Sequence, residues 1–225
     1  MWSYFDKGGP IMWPLLLLSV LGVTVAIWRW MALRAATQNI PGLLTSLRER
    51  LLAYDTDGAI QVCERHPGPV SNIVRAGLVK FGRPKDEVEL SLQDASAHEL
   101  AILERGLPVL ATIAMVAPLL GFLGTVTGMI NSFDALASVG LNNPAAVASG
   151  ISEALITTAA GLMIAIPVQM AYNYFLTRVN GTVRSMESAA NLVLDALSEL
   201  RAARNGETPA AQPISQPVSQ PVPAR

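Results

Sequence analysis

The chain has 225 residues, of which 51% are hydrophobic and only 15% are charged. Soluble domains carry about a quarter charged residues, so this composition argues against an ordinary soluble enzyme and indicates a membrane protein. The formal net charge of −1 provides no basic field, so no nucleic-acid partner is expected. One cysteine and two histidines exclude a disulfide framework and argue against a zinc site, and no metal or cofactor is predicted.

Three long windows lack charged residues, namely residues 8–28, 106–133 and 154–177. A bilayer core takes about 20 helical residues, so each window is long enough to cross it. Backbone groups in lipid must be satisfied within the segment, which predicts three helices. The first window is too long for a signal peptide, and Asp6 and Lys7 cancel where such a peptide is positive, so an uncleaved span is expected.

The basic residues near the span ends predict the orientation. They concentrate after the first span, before the second and after the third, whereas only Lys7 lies on the opposite side. Because basic loops stay in the cytoplasm, the N-terminus is predicted outside and the C-terminus in the cytoplasm. The residues concerned are Arg29, Arg34, Arg48, Arg50, Arg105, Arg178 and Arg184.

The predicted fold class is an all-α membrane protein whose long helices extend into a cytoplasmic helical domain. Gly106 and Pro108 are expected to be tolerated at the entry of the second span, so that the helix over 86–104 could continue into it. The proline-rich tail is expected to be disordered and dispensable for activity. The segments are 1–33, N-terminus and first transmembrane helix; 34–105, cytoplasmic insert; 106–137, second transmembrane helix; 138–144, outer loop; 145–177, third transmembrane helix; 178–205, cytoplasmic helical extension; and 206–225, tail.

Small and weakly polar residues form one face on each of the second and third spans. At about 100° per residue, those of the second span cluster around Thr125, and those of the third share an arc of ~140° with Glu153. Such faces let membrane helices approach closely, and simple helix packing is the alternative to a functional face. The other members are Ala114, Pro118, Gly121 and Gly128 on the second span, and Thr157, Thr158 and Gly161 on the third.

Glu153 is the residue that favours a functional face. A carboxylate inside a span costs roughly 2.5–3.5 kcal/mol and normally faces a bundle interior or water. If the third helix begins at Pro144, Glu153 lies about 13 Å and Thr158 about 21 Å beyond that start, while Thr125 lies about 18 Å from the outer end of the second span. The threonines therefore match in depth, although each hydroxyl could instead bond to its own helix.

The sequence predicts no enzyme. It contains no phosphate-binding loop with its lysine, and His66 and His98 lie in the insert, away from any nucleophile motif. Cys63 is expected to be an inert thiol.

Two stretches identify a family resemblance. PLLGFLGTVTGMINSFD (118–134) and GISEALITTAAGLMIAIPVQMAYNYF (150–175) resemble the ExbB/TolQ branch of the MotA/TolQ/ExbB proton-channel family. The spacing of the three spans and the size of the insert agree as well, over about residues 8–200. The family pattern often carries Trp where Thr127 stands here.

The resemblance implies a stator of a proton-driven motor in the bacterial inner membrane. It implies a homo-oligomer, a pentamer in the family, whose central pore holds a single-span ExbD/TolR-like subunit that carries the proton on an aspartate. It also implies a TonB/TolA-like transducer. Carried over to this sequence, Thr125 and Thr158 line the pore and Glu153 is the intramembrane glutamate.

The load that the motor drives is left open. The leading hypothesis is an ExbB-like subunit that energises TonB-type outer-membrane transport. A TolQ-type stator for envelope maintenance or a gliding-type stator for movement shares the same motifs. A third hypothesis, of a different class, is a non-conducting membrane scaffold that recruits cytosolic proteins through residues 35–104.

Overall fold

A computed structural model of the protein describes residues 2–36, 40–53, 55–139 and 144–205. The regular structure of these residues is entirely helical. The predicted tail over 206–225 and residues 140–143 of the predicted outer loop lie outside the described residues. The helices are α1 (Trp2–Lys7), α2 (Met12–Ala36), α3 (Ile40–Leu52), α4 (Thr56–Arg65), α5 (Pro69–Val79), α6 (Lys85–Glu104), α7 (Leu107–Val139) and α8 (Pro144–Asn205).

Three helices are long and apolar enough to cross a membrane: α2, α7 and α8. This confirms the prediction of an all-α membrane protein. The segments 145–177 and 178–205, assigned separately from the sequence, belong to one helix of 62 residues. At 1.5 Å per residue that helix is about 93 Å long, roughly three times the thickness of a bilayer core. Its C-terminal half therefore projects well beyond the membrane.

The three membrane helices pack as an α7–α8 pair with α2 lying against both. A Cβ placed on Gly22 of α2 would lie 3.0 Å from Val168 of α8 and 3.7 Å from Ile113 of α7. Glycine at this crossing lets α2 settle into the groove between the other two helices. Ile113 and Val168 therefore mark the side of the α7–α8 pair that α2 contacts.

The predicted continuation of the helix over 86–104 into the second span is wrong. Helix α6 ends at Glu104, and α7 begins at Leu107 after a break at Arg105 and Gly106. Gly106 has a φ of 89°, a left-handed conformation that a helix cannot contain. Pro108 then stands in the first turn of α7, where its missing N–H leaves no helical hydrogen bond unmade.

Helices α3, α5 and α6 pack on the projecting half of α8, and α4 packs on α3 and α5. Together these four helices form the insert domain. Its core is apolar and continuous with the membrane helices. Two partly buried hydrogen bonds join α5 to α6 among the described residues: Asn72 Nδ2 donates to Glu99 Oε1 at 2.7 Å, and the Ser91 hydroxyl donates to the carbonyl oxygen of Ala76 at 3.3 Å. The fully buried core side chains of this region include Leu47, Ile73, Val74, Val88, Val179, Met186 and Val193.

Candidate functional site at the α7–α8 interface

Glycines bring the backbones of α7 and α8 into direct contact. A Cβ on Gly121 would lie 3.1 Å from the carbonyl oxygen of Thr157, and one on Gly161 would lie 2.6 Å from that of Ala117. A Cβ on Gly128 would lie 2.7 Å from the carbonyl oxygen of Gly150. Small residues allow this approach between membrane helices. Much of the small face predicted from the sequence, including buried Ala114, is therefore covered within a single chain.

Thr157 lies inside this interface. Its side chain is fully buried, and its hydroxyl donates to carbonyl oxygens of its own helix, at 3.0 Å to Glu153 and 2.9 Å to Ala154. A side chain on Gly124 would collide with it. Thr157 is thus a packing residue with a satisfied hydroxyl in the isolated chain.

Thr158 makes a different contact from its neighbour. Its hydroxyl crosses to the other helix and donates to the carbonyl oxygen of Gly121 at 3.0 Å. The hydroxyl of Thr125 bonds within its own helix, to the carbonyl oxygen of Phe122 at 2.6 Å. Thr125 stands one turn beyond Gly121 on the same face of α7. Thr158 and Thr125 therefore share one edge of the α7–α8 pair, which we name the threonine edge.

The threonine edge is turned away from α2. At about 100° per residue, Thr125 lies about 120° around α7 from Ile113, and Thr158 lies about 80° around α8 from Val168. Both threonine side chains are half-buried in the single chain. The two hydroxyls are thus accessible from a side that α2 does not cover. Pro118 is also half-buried and lies about 20° from Thr125 around α7.

Glu153 lies on the other side of the pair. Five residues separate it from Thr158, which corresponds to about 140° around α8. The turn between α1 and α2 rests on it, because a side chain on Gly9 would collide with the Glu153 carboxylate and one on Gly8 would touch Ile156 at 3.3 Å. The structure therefore groups Thr125 with Thr158 and places Glu153 next to the N-terminal turn.

Gly9 is a site residue that the sequence analysis missed. Its φ of 66° is left-handed, and it closes the turn that covers the half-buried Glu153 side chain. Within the described residues, no ion pair engages the Glu153 carboxylate. The pair Gly8–Gly9 directly before an apolar run was the available signal for a close backbone approach.

Ser132 ties α7 to α8 near the C-terminal end of α7. Its buried hydroxyl lies 3.0 Å from the carbonyl oxygens of both Gly128 and Val147, the second of which belongs to α8. Together with the Thr158–Gly121 bond, it ties the two helices at two levels. Within the part of the chain that the structure describes, no three His, Cys, Asp or Glu side chains are grouped closely enough to hold a metal ion.

Comparison with known proteins identifies the family. The model of the MotA/TolQ/ExbB proton channel family matches residues 65–188, which include all of α7 and the membrane half of α8. The chain belongs to the MotA/TolQ/ExbB proton channel family. This is a family of proton channels and transport-energising subunits, not of enzymes. The matched range contains the threonine edge and Glu153 but not Gly9.

Named relatives come from both branches of this family. The chain is 35% identical over 198 residues to the Tol-Pal system protein TolQ of Pseudomonas aeruginosa, which covers 79% of this chain and 84% of TolQ. It is 41% identical over 172 residues to the putative biopolymer transport protein ExbB-like 1 of Synechocystis sp., covering 72% and 65% of the two chains. A putative ExbB homolog of Methanothermobacter thermautotrophicus is 32% identical over 185 residues, covering 81% and 65%. The chain is thus an ExbB/TolQ-like member of the family.

Proposed function

We propose that this chain is the proton-conducting stator subunit of a motor in the bacterial inner membrane. The observation that carries the proposal is the threonine edge, where two hydroxyls lie together on a side of the α7–α8 pair that α2 does not cover. We infer that the transported ion is the proton because the chain belongs to a proton-channel family. The pore is proposed to form where the threonine edges of several copies face one another around a partner.

The chain requires a partner to complete the proton path. Asp134 and Glu153 are the only acidic residues between Glu104 and Glu187. The second and third membrane helices therefore do not carry enough carboxylates to relay a proton across the membrane. We assign the missing carboxylate to an ExbD/TolR-like single-span subunit. Hydroxyls at Thr125 and Thr158 donate to backbone carbonyls and keep lone pairs that accept a hydrogen bond from a protonated carboxyl or water.

The proposed load is TonB-type outer-membrane transport, through a TonB-like transducer. A second candidate, Tol–Pal envelope maintenance through a TolA-like transducer, is favoured by the match to a TolQ protein over 84% of its length. Expression in bacteria lacking either their own TonB-energising subunit or their own TolQ separates the two. Restored TonB-dependent uptake supports the first load, and restored resistance to detergent supports the second.

Proton flux into reconstituted vesicles tests the channel itself. Vesicles with an internal pH dye and an imposed potassium potential should acidify when they contain this chain with its ExbD/TolR-like partner. Vesicles that contain the chain alone should stay close to empty vesicles, because one carboxylate is missing. A tight complex with the partner that conducts no protons would instead support a non-conducting scaffold.

A further inference from the structure

A small polar pocket lies between α2 and α8 where both helices reach the arginine-rich side of the membrane. It encloses about 80 Å³. Two of its lining residues are arginines and three are aromatic. The lining residues are Trp30, Leu33, Arg34, Tyr174, Phe175 and Arg178, and we name the site the head pocket.

Aromatic rings hold both guanidinium groups at the head pocket. The Cζ atom of Arg34 lies 5.5 Å from the ring centre of Trp30, and that of Arg178 lies 5.5 Å from the ring centre of Tyr174. Arg178 Nε also donates to the Tyr174 hydroxyl at 3.3 Å. Stacking of this kind orders a cation without neutralising it. Among the described residues, neither arginine forms an ion pair.

A third arginine adds to the positive charge. Arg29 stands one helical turn before Leu33 on the same face of α2. Its side chain is only 3% exposed, and its Nε and Nη2 have no hydrogen-bond partner in the part of the chain that the structure describes. A buried cation is unfavourable unless an anion compensates it. Within the described residues, no carboxylate forms an ion pair with Arg29, Arg34 or Arg178.

An apolar groove continues from the head pocket along the same two helices. It encloses about 380 Å³ and follows α2 from Ser19 to Ile27 and α8 from Met163 to Ala171. We name it the tail groove. Because residues 30–34 of α2 and 174–178 of α8 form the head pocket, the two cavities are consecutive levels of one furrow. A basic site followed by an apolar channel matches the shape of a lipid.

We propose that the furrow binds an anionic phospholipid, with its phosphate in the head pocket and an acyl chain in the tail groove. The planar guanidinium group matches phosphate geometry. Tryptophan and tyrosine are typical of the membrane interface at this level. Basic pockets between transmembrane helices bind anionic headgroups. A soluble phosphate would use the head pocket but not the tail groove. The proposal does not depend on proton conduction.

Native mass spectrometry of the full-length chain in detergent tests the proposal. The protein is titrated with phosphatidylglycerol, with phosphatidylcholine of the same acyl chains, and with inorganic phosphate. Wild-type protein should retain phosphatidylglycerol in preference to phosphatidylcholine. The double variant Arg34→Gln, Arg178→Gln should lose roughly thirtyfold in affinity for phosphatidylglycerol, because two charges near the headgroup are removed.

A matched double variant controls for charge. Arg48→Gln, Arg184→Gln removes two exposed arginines from the same predicted side of the membrane and should retain phosphatidylglycerol like the wild type. Equal loss in both double variants would overturn the proposal, because it would indicate a diffuse charge effect. Equal binding of phosphatidylglycerol and phosphatidylcholine by the wild type would also overturn the proposal. This comparison needs no variant, so it holds even if the Arg34, Arg178 double variant misfolds. Binding of inorganic phosphate that phosphatidylglycerol does not displace would indicate a soluble-anion site and would likewise overturn the proposal.

Discussion

Glu153 combines a position inside a membrane helix with a lid formed by the N-terminal turn. Glu153→Gln keeps its size and hydrogen bonding but removes its ability to titrate, whereas Glu153→Ala removes both. If Glu153 handles protons, both variants should lose proton flux in vesicles while the oligomer stays intact on size-exclusion chromatography. Normal flux in the glutamine variant, with failed assembly in the alanine variant, would mean that the residue is purely structural.

Gly9 allows a sharper test of that lid. Gly9→Ala places a Cβ in left-handed backbone, at a cost of about 1–2 kcal/mol, and also displaces the Glu153 carboxylate. Gly82→Ala is the matched control, because Gly82 has a φ of 98° but open space around it. Both variants should melt at a lower temperature, and only Gly9→Ala should reduce proton flux. Equal flux in the two variants would show that the position of the carboxylate is not important for conduction.

Cys63 is predicted to be chemically inert. Burial raises the pKa of its thiol to about 11, above the ordinary value of 9.0. The reactive thiolate is therefore nearly absent from the folded protein at pH 8, whereas unfolding restores it. Alkylation by iodoacetamide at pH 8 should be slow in the native protein and fast in denaturant. Rapid labelling of the native protein would mean that α4 does not bury this side chain.

At the level of helices, the α7–α8 interface depends on glycine at backbone contacts. Gly128→Ala places a methyl group 2.7 Å from the carbonyl oxygen of Gly150, and backbone cannot move aside as a side chain does. We expect a loss of about 1–3 kcal/mol in stability, measured by unfolding in detergent. Gly181→Ala is the control in α8, where nothing lies within 4 Å, and it should gain up to about 1 kcal/mol. Equal stability of the two variants would contradict the close packing.

The helices themselves were largely predictable from the sequence. An uncharged window of about 20 residues can satisfy its backbone hydrogen bonds in lipid only as a helix. Helices α2, α7 and α8 were therefore predictable from composition. The break between α6 and α7 was not predictable, because glycine within a helical pattern is compatible with both continuation and interruption. Whether the helix continues or breaks at Gly106 depends on a tertiary contact, since a Cβ there would lie 3.0 Å from the ring of Trp28.

The site was predictable only in part. Helical periodicity placed Thr125 and Thr158 on small faces, but an arc of ~140° also included Glu153 and Thr157. An arc of this width includes residues on both sides of the line along which α8 contacts α7. The direction in which α7 approaches α8 decides that Thr157 is enclosed, that Thr158 crosses to Gly121 and that Glu153 meets the N-terminal turn. That direction is set by packing between distant segments and is not encoded in the local pattern.

We predict that the chain forms a homo-oligomer. The small face of α7 is largely covered by α8 of the same chain, so this prediction rests on the half-buried hydroxyls of the threonine edge and on the family resemblance. Polar groups at this depth are unfavourable against lipid. Native mass spectrometry in mild detergent should show one oligomer, with five copies expected from the family. A monomer at every protein concentration would contradict the prediction.

Protons are proposed to pass along the threonine edge. Proton flux should be measured in vesicles containing the ExbD/TolR-like partner with wild-type chain, Thr125→Val, Thr158→Val and the control Thr127→Val. Valine removes a hydroxyl at nearly constant shape, and Thr127 lies about 160° around α7 from Thr125 with its hydroxyl bonded to its own helix. Flux should fall in the first two variants, with the complex intact, and stay normal in the third. Wild-type flux in both Thr125→Val and Thr158→Val would contradict the claim.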